Sequence, residues 1–176
     1  MVVGRKRKMS ESTGGIEMVM PSRIERSEQR LPLEDRASFL THRINARLQQ
    51  VCNPVLAPLK LDLYSSRIIA ALSENGAMKV GKLVDLMALP QSTISHQLKR
   101  MAKDGYVRRT RSESDNRTVV VTLTALGDEV AVTCNRLSDR ILEAVSAELA
   151  PDEIEQLTSL LKRMFASLPT ENDLDL

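Results

Sequence analysis

Apolar residues recur at intervals of three and four over much of the chain, which is the spacing that places them on one face of a helix. In the segment 34–52, Leu40 and Ile44 share such a face, and the pair Asn53-Pro54 is expected to end the helix. The pattern therefore predicts a mainly helical chain. The further predicted helices are one that opens at Leu61-Asp62 and stops at Asn75-Gly76, followed by 79–87, 91–103, 125–149 and 151–167.

The pattern changes to that of β-structure at Tyr106-Val107. These residues lead into an arginine-rich segment that ends at Arg111, and the run 118–123 is rich in β-branched residues. A polar tip, 112–117, separates the two segments. Two short runs of this kind joined by a polar turn predict a β-hairpin.

The predicted elements divide the chain into five parts. Residues 1–30 mix small, polar and charged residues without an apolar period, and we expect a disordered basic extension there. One helix follows in 31–58, and a unit of three helices and a hairpin follows in 59–123. Two helices occupy 124–168, and the chain closes with an acidic tail, 169–176.

Composition narrows the class of protein. The chain has 176 residues, of which 42% are apolar, but no Trp and only two Phe and two Tyr, so its core must be aliphatic. Two cysteines, Cys52 and Cys134, are too few for a disulfide framework, which indicates a reducing cytoplasm. No apolar run is long enough to span a bilayer, and no apolar segment follows the basic run 5–8 as a secretory signal would require.

The net charge of +2 conceals a strong asymmetry. Residues 1–59 carry 10 basic and 6 acidic side chains, and residues 60–123 carry 11 and 6. Residues 124–176 carry 4 basic and 11 acidic side chains. A basic segment beside an acidic one indicates a polyanionic partner for the basic part, with a merely solvated surface as the alternative.

The order of helices, tight break, helix and hairpin in 59–123 is that of a winged helix-turn-helix. Such a fold places its last helix in the major groove of DNA, so that helix needs an apolar inner face and a polar outer face. In 91–103, Ile94, Leu98 and Met101 form one narrow apolar face, and the remaining surface carries no acid. The candidate DNA-binding residues of this helix are Gln91, Ser92, Thr93, Ser95, His96, Lys99 and Arg100.

The hairpin adds arginines, which suit the strongly negative potential of a narrow minor groove. Arg109, Arg111 and Arg117 are the candidate DNA-binding residues of this wing, and Arg117 is the best placed of them at the tip. Asp115 is a poor phosphate contact. We expect it to structure the wing by pairing with a nearby arginine, Arg109 in the first instance.

These residues resemble those of the MarR-type regulators, and the resemblance extends from Leu33 to about Leu168. It implies a homodimer paired through the first helix and the last two helices. It also implies a palindromic operator at which the dimer represses transcription until a small ligand or an oxidant acts. Its most specific motifs are Leu83-Val84-Asp85-Leu86, Ser92-Thr93-Ile94-Ser95, Lys103-Asp104-Gly105-Tyr106-Val107, Arg109 with Asp115-Asn116-Arg117, and Val121-Thr122-Leu123-Thr124.

Apolar stripes on the outer helices favour a dimer independently of the resemblance. The small winged unit cannot cover them all, so they must pack on one another or on a second copy. Packing within one chain is the alternative. The stripes consist of Leu137, Ile141, Leu142, Val145 and Leu149 on one helix and Ile154, Leu157, Leu160, Leu161, Met164 and Phe165 on the other.

The resemblance also implies an effector pocket between the winged unit and the dimer helices. Arg43 and Arg47 of the first helix could meet a carboxylate or phosphate there, and Tyr64 could line the pocket. An anionic aromatic compound or an acyl-CoA thioester would suit such a site. The alternative is that both arginines are solvated cations on a helix face.

Other chemistry is weakly indicated. Cys52 and Cys134 raise the possibility of a thiol redox switch, but we expect structural cysteines, because the peroxide-sensing branch has its cysteine early in the first helix. His42 and His96 are too isolated for a metal site. No cofactor motif and no nucleophile with a base beside it is present, so no enzyme is expected. A winged-helix module for protein interaction is the remaining alternative.

Overall fold

A computed structural model describes residues 31–111 and 118–169. The predicted fold class, mainly helical with a small β-hairpin wing, is confirmed. The helices are α1 (Ala37–Leu56), α2 (Leu63–Asn75), α3 (Val80–Met87), α4 (Gln91–Lys103), α5 (Ala125–Ser146) and α6 (Pro151–Ala166), with 3-10 turns at Leu33–Asp35 and Ala57–Leu59. The strands are β1 (Met78–Lys79), β2 (Val107–Arg111) and β3 (Val119–Leu123).

The chain divides into two compact units, 1–43 and 44–176. The first is described from Leu31 onward and contains the turn Leu33–Asp35 and the start of α1. Within it, Arg36 Nε donates a hydrogen bond to the carbonyl of Leu31 at 2.9 Å. The second unit contains every other element named below.

The three strands form an antiparallel sheet in the order β1-β3-β2. Val121 of β3 lies opposite Arg109 of β2 on one side and opposite Met78 of β1 on the other. Met78 and Val121 are buried, so the short strand β1 closes the sheet against the core.

The core of the second unit is aliphatic, as the composition predicts. It joins the end of α1 to α2, α3, α4 and β3, and hydrophobic burial is the main source of its stability. Its largest fully buried side chains are Leu56, Ile68, Ile69, Leu72, Leu83, Ile94, Leu98, Met101 and Val121.

The structure corrects several predicted boundaries, among them the start of α1, which lies at Ala37 rather than at residue 34. Helix α1 continues through Pro54 to Leu56, because the burial of Cys52 and Leu56 offsets the one backbone hydrogen bond that proline removes. Lys79 belongs to strand β1 rather than to a helix, since it pairs with Val120 of β3. Helix α5 ends at Ser146, three residues before the predicted end.

Asp62 joins α2 to α4 through one carboxylate. Its Oδ1 accepts hydrogen bonds from the backbone N–H of Ser65 (2.8 Å) and from Ser65 Oγ (2.7 Å), which caps the first turn of α2. Its Oδ2 accepts from Gln97 Nε2 at 3.1 Å and from Arg100 Nη2 at 2.9 Å, both on α4. Burial raises the pKa of Asp62, but the hydrogen bonds from Ser65, Arg100 and Gln97 outweigh it and hold the pKa at about 2.

The junction between the wing and α5 depends on a close backbone approach. Thr124 caps α5 by accepting from the N–H of Gly127 at 3.1 Å, and its own N–H donates to the carbonyl of Tyr106 at 3.1 Å. A Cβ at position 127 would collide with that same carbonyl. Glycine at this position therefore lets α5 begin directly beside the start of β2.

Large apolar side chains remain exposed on the outer helices. Helix α6 has no buried residue, and its Leu157, Leu160, Leu161 and Phe165 are all exposed. Leu142 and Val145 of α5 are exposed as well. Exposed apolar side chains of this kind are suited to packing against a partner surface.

Within the described ranges, no helix is both long enough and apolar enough to cross a bilayer.

The Asp62 carboxylate predicts an acid-dependent loss of stability. Because its pKa is about 2 in the folded chain and about 3.9 in an unfolded one, its contribution is complete above about pH 4 and is lost as the pH falls to about 2. Asp62→Asn should therefore lower the free energy of unfolding by about 1–2 kcal/mol at pH 7, after allowance for partial exposure. That deficit should shrink between about pH 4 and pH 2, as measured by urea unfolding.

Asp139→Asn is the control, because it removes one negative charge from a side chain outside the described ion pairs. A deficit for Asp62→Asn that stays constant across this pH range would contradict the prediction.

Candidate nucleic-acid interface

Helix α4 has the two faces that its sequence predicts. Ile94, Leu98 and Met101 are buried against the core. The opposite surface is polar and cationic. Gln91, Ser92, His96 and Lys99 are exposed there, and Thr93 and Ser95 are half-buried at its edge.

A tight turn sets the start of α4. Ala88 ends α3 in the left-handed conformation (φ 49°, ψ 41°), and its N–H donates to the carbonyl of Asp85 at 3.3 Å. Pro90 then takes the N-cap position of α4 without a side-chain cap. This break between α3 and α4 is the turn of a helix-turn-helix.

An open groove of about 450 Å³ connects α4 to the wing. Gln91 and Ser95 of α4 line it, and Arg109 lines it from β2. Lys79 of β1 and Lys82 of α3 line it as well. Asp85 is its single carboxylate, so the groove has a net positive charge.

The sheet register explains why Arg109 lies in the groove. Arg109 and Arg111 lie on the same face of β2 as buried Val107, but nearer the tip of the hairpin, and both are exposed. Arg108 lies on the opposite face and is also exposed. The predicted wing residues Arg109 and Arg111 therefore lie on the side of the sheet that faces the core and, beyond it, the groove.

Arg117 and Asp115 lie outside the described residues. The expected pair between Asp115 and Arg109 stays a prediction for the same reason.

Lys79 and Lys82 are groove residues that the sequence pattern did not indicate. Strand β1 brings Lys79 beside the wing through its pairing with β3, and Lys82 follows one turn into α3. Their positive charge was visible in the sequence as part of the basic segment 60–123. Their position was not visible, because it depends on a two-residue strand without a periodic signal.

Arg100 differs from the other predicted DNA-binding residues. Its Nη2 donates to Asp62 Oδ2 at 2.9 Å and to Gln97 Oε1 at 2.7 Å. The sequence placed Arg100 at the edge of the outer face, whereas the structure turns its guanidinium toward α2. The nearby polar side chain of Gln97 is buried, although the helical pattern did not single it out.

The described part of the chain holds two ion pairs, Arg100–Asp62 at 2.9 Å and Lys60–Asp104 at 3.7 Å. Neither involves the groove cations Lys79, Lys82 and Arg109. No described carboxylate neutralises these cations by direct pairing, so the groove has an attractive potential for an anion.

A second, smaller cavity of about 130 Å³ lies among α1, α2 and α5. Both cysteines line it together with Arg67, and the rest of the lining is Leu48, Leu63, Ser66, Leu137, Ser138 and Ile141. Burial raises the pKa of the Cys134 thiol to about 11. Burial also raises the pKa of Cys52, although Arg67 opposes this shift. Because only a thiolate reacts readily, these environments disfavour a redox switch.

The residues predicted to bind a ligand do not line this cavity. Arg43 and Arg47 are exposed on α1, the first in unit 1–43 and the second in unit 44–176. The hydroxyl of Tyr64 accepts hydrogen bonds from Asn45 Nδ2 and Gln49 Nε2, both at 3.4 Å.

Across residues 31–111 and 118–169, no group of three or more His, Cys, Asp or Glu side chains is arranged to hold a metal ion.

Comparison with known proteins places this arrangement in a family. The MarR family profile matches residues 65–119, from α2 into the start of β3. The regulator MgrA of Staphylococcus aureus, described as an HTH-type transcriptional regulator, is 30% identical over 112 residues, which cover 64% of this chain and 75% of MgrA.

Solved structures share the fold. A MarR-family regulator from Silicibacter pomeroyi is 26% identical with a TM-score of 0.69, over 80% of this chain and 94% of that one. The S. aureus MepR–DNA complex gives a TM-score of 0.69 at 18% identity, over 76% of this chain and 99% of MepR. The chain therefore belongs to the MarR family of winged helix-turn-helix transcriptional regulators, which are not enzymes.

Proposed function

We propose that the protein binds duplex DNA sequence-specifically, with α4 in the major groove and the β2–β3 wing beside it. The observation that carries the proposal is the cationic groove lined by Gln91 and Ser95 of α4, Arg109 of the wing, Lys79 of β1 and Lys82 of α3. It makes the helix and the wing one continuous surface.

The chemistry of this surface suits DNA. A helix fits the major groove, where side-chain amides, hydroxyls and imidazoles can hydrogen-bond to base edges. Ser92, Ser95 and His96 supply such groups. Lysines and arginines at the rim neutralise phosphates, which provides most of the affinity. The shared fold with MepR, which was solved in complex with DNA, supports this use of the surface.

The alternative of a protein-interaction module is less well supported. A protein-binding winged helix does not need cations on both α4 and the hairpin, whereas this chain has exposed Lys99, Arg109 and Arg111 there. Failure to select any DNA sequence would favour the alternative.

We further propose that two copies act together. The exposed apolar side chains of α5 and α6 need a partner surface, and a second copy provides the same surface by symmetry. A two-fold dimer would present two α4 helices to half-sites about one DNA turn apart, and so would recognise a palindrome. The MarR resemblance supports the proposal that the protein represses transcription. It also supports a location in the cytoplasm.

We also propose that a small anionic aromatic compound binds in the cavity at Arg67 and thereby causes the protein to release DNA. The lining is apolar except for the serines, the thiols and the Arg67 cation. At about 130 Å³ the cavity is smaller than the ~300–1,000 Å³ typical of larger ligands. It therefore suits a single-ring carboxylate better than an acyl-CoA.

Arg109→Ala tests the DNA interface. The probe is a duplex that the parent protein selects from a random-sequence pool. Because one phosphate or groove contact is lost, affinity should fall about tenfold and the slope of log K against log salt should decrease by about one. Fluorescence anisotropy at several salt concentrations measures both.

Arg108→Ala is the matched control, because Arg108 is the neighbouring exposed arginine on the opposite face of the same strand. Equal losses in both variants would show that the wing contributes only general charge, and would refute the assigned contact.

Leu160→Glu tests the dimer. A charge placed on the apolar face of α6 cannot be buried without a large penalty, so the variant should elute as a monomer and bind the selected duplex at least tenfold more weakly. Light scattering after gel filtration measures the mass. Ser159→Glu places the same charge on the polar face of α6 and should stay dimeric; a parent that is itself monomeric contradicts the proposal.

Benzoate tests the effector site. Isothermal titration should detect binding to the parent and at least a tenfold weaker affinity for Arg67→Gln, because the carboxylate loses its cation. Arg136→Gln removes an exposed arginine of α5 outside the cavity and is the control. Undiminished benzoate binding by Arg67→Gln would exclude the assigned site.

A further inference from the structure

We propose that Asp62 is a positioning residue that sets the sequence preference of α4. Acting through Gln97 and Arg100, its carboxylate fixes the rotation of α4 about its own axis and so aims the outer face at the bases. The inference rests on the proposed function, since it concerns how the same DNA-binding helix is held.

The three side chains form a closed triangle. Gln97 Nε2 and Arg100 Nη2 both donate to Asp62 Oδ2, at 3.1 and 2.9 Å. Arg100 Nη2 also donates to Gln97 Oε1 at 2.7 Å. The two α4 residues are three positions apart, so they lie on one edge of the helix.

The other oxygen of the carboxylate ties this triangle to α2. Oδ1 accepts from the N–H and the hydroxyl of Ser65, at 2.8 and 2.7 Å, as the N-cap of α2. The carboxylate is therefore anchored in a helix that does not carry the outer face. If α4 turned, Gln97 and Arg100 would have to leave their shared acceptor.

The other contacts that hold α4 on the core are apolar, and they define the rotation of α4 less sharply than hydrogen bonds do. Ile94, Leu98 and Met101 are buried, but hydrophobic burial is not directional. Charge-assisted hydrogen bonds are directional and short. At a helix radius of about 5–6 Å with side chains, a rotation of about 10° moves an outer side chain by about 1 Å. That displacement is enough to break a hydrogen bond to a base edge.

The pair is not arranged for maximum stability. The side chains of Arg100 and Asp62 remain 38% and 28% exposed, so solvent limits the stabilisation that this pair supplies to a modest amount. Arg100 Nε is buried without a hydrogen-bond partner among the described residues, which is a cost to folding. These directional hydrogen bonds therefore fix geometry in addition to the modest stability that they supply.

Asp62→Asn removes the hydrogen bonds that the carboxylate accepts from α4 while keeping those that it accepts from Ser65. Asparagine is as good an N-cap as aspartate, so its oxygen keeps the bonds to Ser65. Its amino group then faces the donor atoms Gln97 Nε2 and Arg100 Nη2 and cannot accept from either of them. The variant therefore releases α4 while keeping α2 capped.

The measurement is the ratio of affinities for two duplexes, one selected by the parent from a random pool and one with the same bases scrambled. For Asp62→Asn we expect the ratio to fall about tenfold, mainly by loss of affinity for the selected duplex, with the circular dichroism spectrum unchanged. Arg100→Gln should give the same loss. In the Arg100→Gln background, Asp62→Asn should add less than its full loss, because only the hydrogen bond from Gln97 is then left to remove.

Asp104→Asn is the matched control. It removes one negative charge at the end of α4 and breaks the Lys60–Asp104 pair, but leaves the triangle intact. Its ratio should stay within twofold of the parent. If Asp62→Asn does not fold, Gln97→Met, which cuts the amide arm alone, is judged by the same criterion.

Two results would overturn the inference while leaving the proposed function in place. One is an unchanged ratio for Asp62→Asn. The other is an equal loss on both duplexes for Arg100→Gln with the salt slope lower by about one, which would make Arg100 a phosphate contact. A parent protein that selects no sequence from the pool would refute the proposed function and this inference together.

Discussion

Helix α4 must bury one face and expose the other, and the rest of the winged unit is arranged around that requirement. Its buried strip consists of Ile94, Leu98 and Met101, all of moderate size, because the chain has almost no aromatic residues to offer. A narrow aliphatic strip holds a helix against a core but leaves its rotation loosely defined. Directional contacts at the edges then become decisive, and Asp62 supplies them from the cap of α2.

Strand β1 has a similar importance for the groove. It is two residues long, yet its pairing with β3 brings the start of α3 beside the wing. Lys79 and Lys82 thereby join Arg109 across from Gln91 and Ser95. The groove cations are thus contributed by three elements, β1, α3 and β2, and their charges add to one attractive potential for a polyanion.

The outer helices α5 and α6 differ from the winged unit because they leave large apolar side chains exposed. Their apolar residues are exposed along α6 and the second half of α5, whereas the first half of α5 packs on the core through Val130, Ala131 and Cys134. The thiols lie within this packing, and burial raises their pKa, which disfavours the thiolate that a redox sensor needs. Arg67 at the same cavity leaves it suited to an anion instead.

Local patterns in the sequence determined much of this protein. The bounds of α4, the two faces of that helix and the arginine-bearing hairpin all follow from periodicity and residue type within one segment, because a helix face or a strand repeat is set by its own neighbours. Tertiary structure decided what depends on distant partners. Met78 and Lys79 form a strand because β3 is present to pair with them. Pro54 stays helical because Leu56 is buried beyond it. The guanidinium of Arg100 turns inward because the carboxylate of Asp62 accepts its hydrogen bond. The sequence shows which side chains are charged but not which way they point, because their orientation depends on partners that folding brings together. The positions of Lys79 and Lys82 in the groove, and the hydrogen bonds from Gln97 and Arg100 to Asp62, were therefore visible only in the structure.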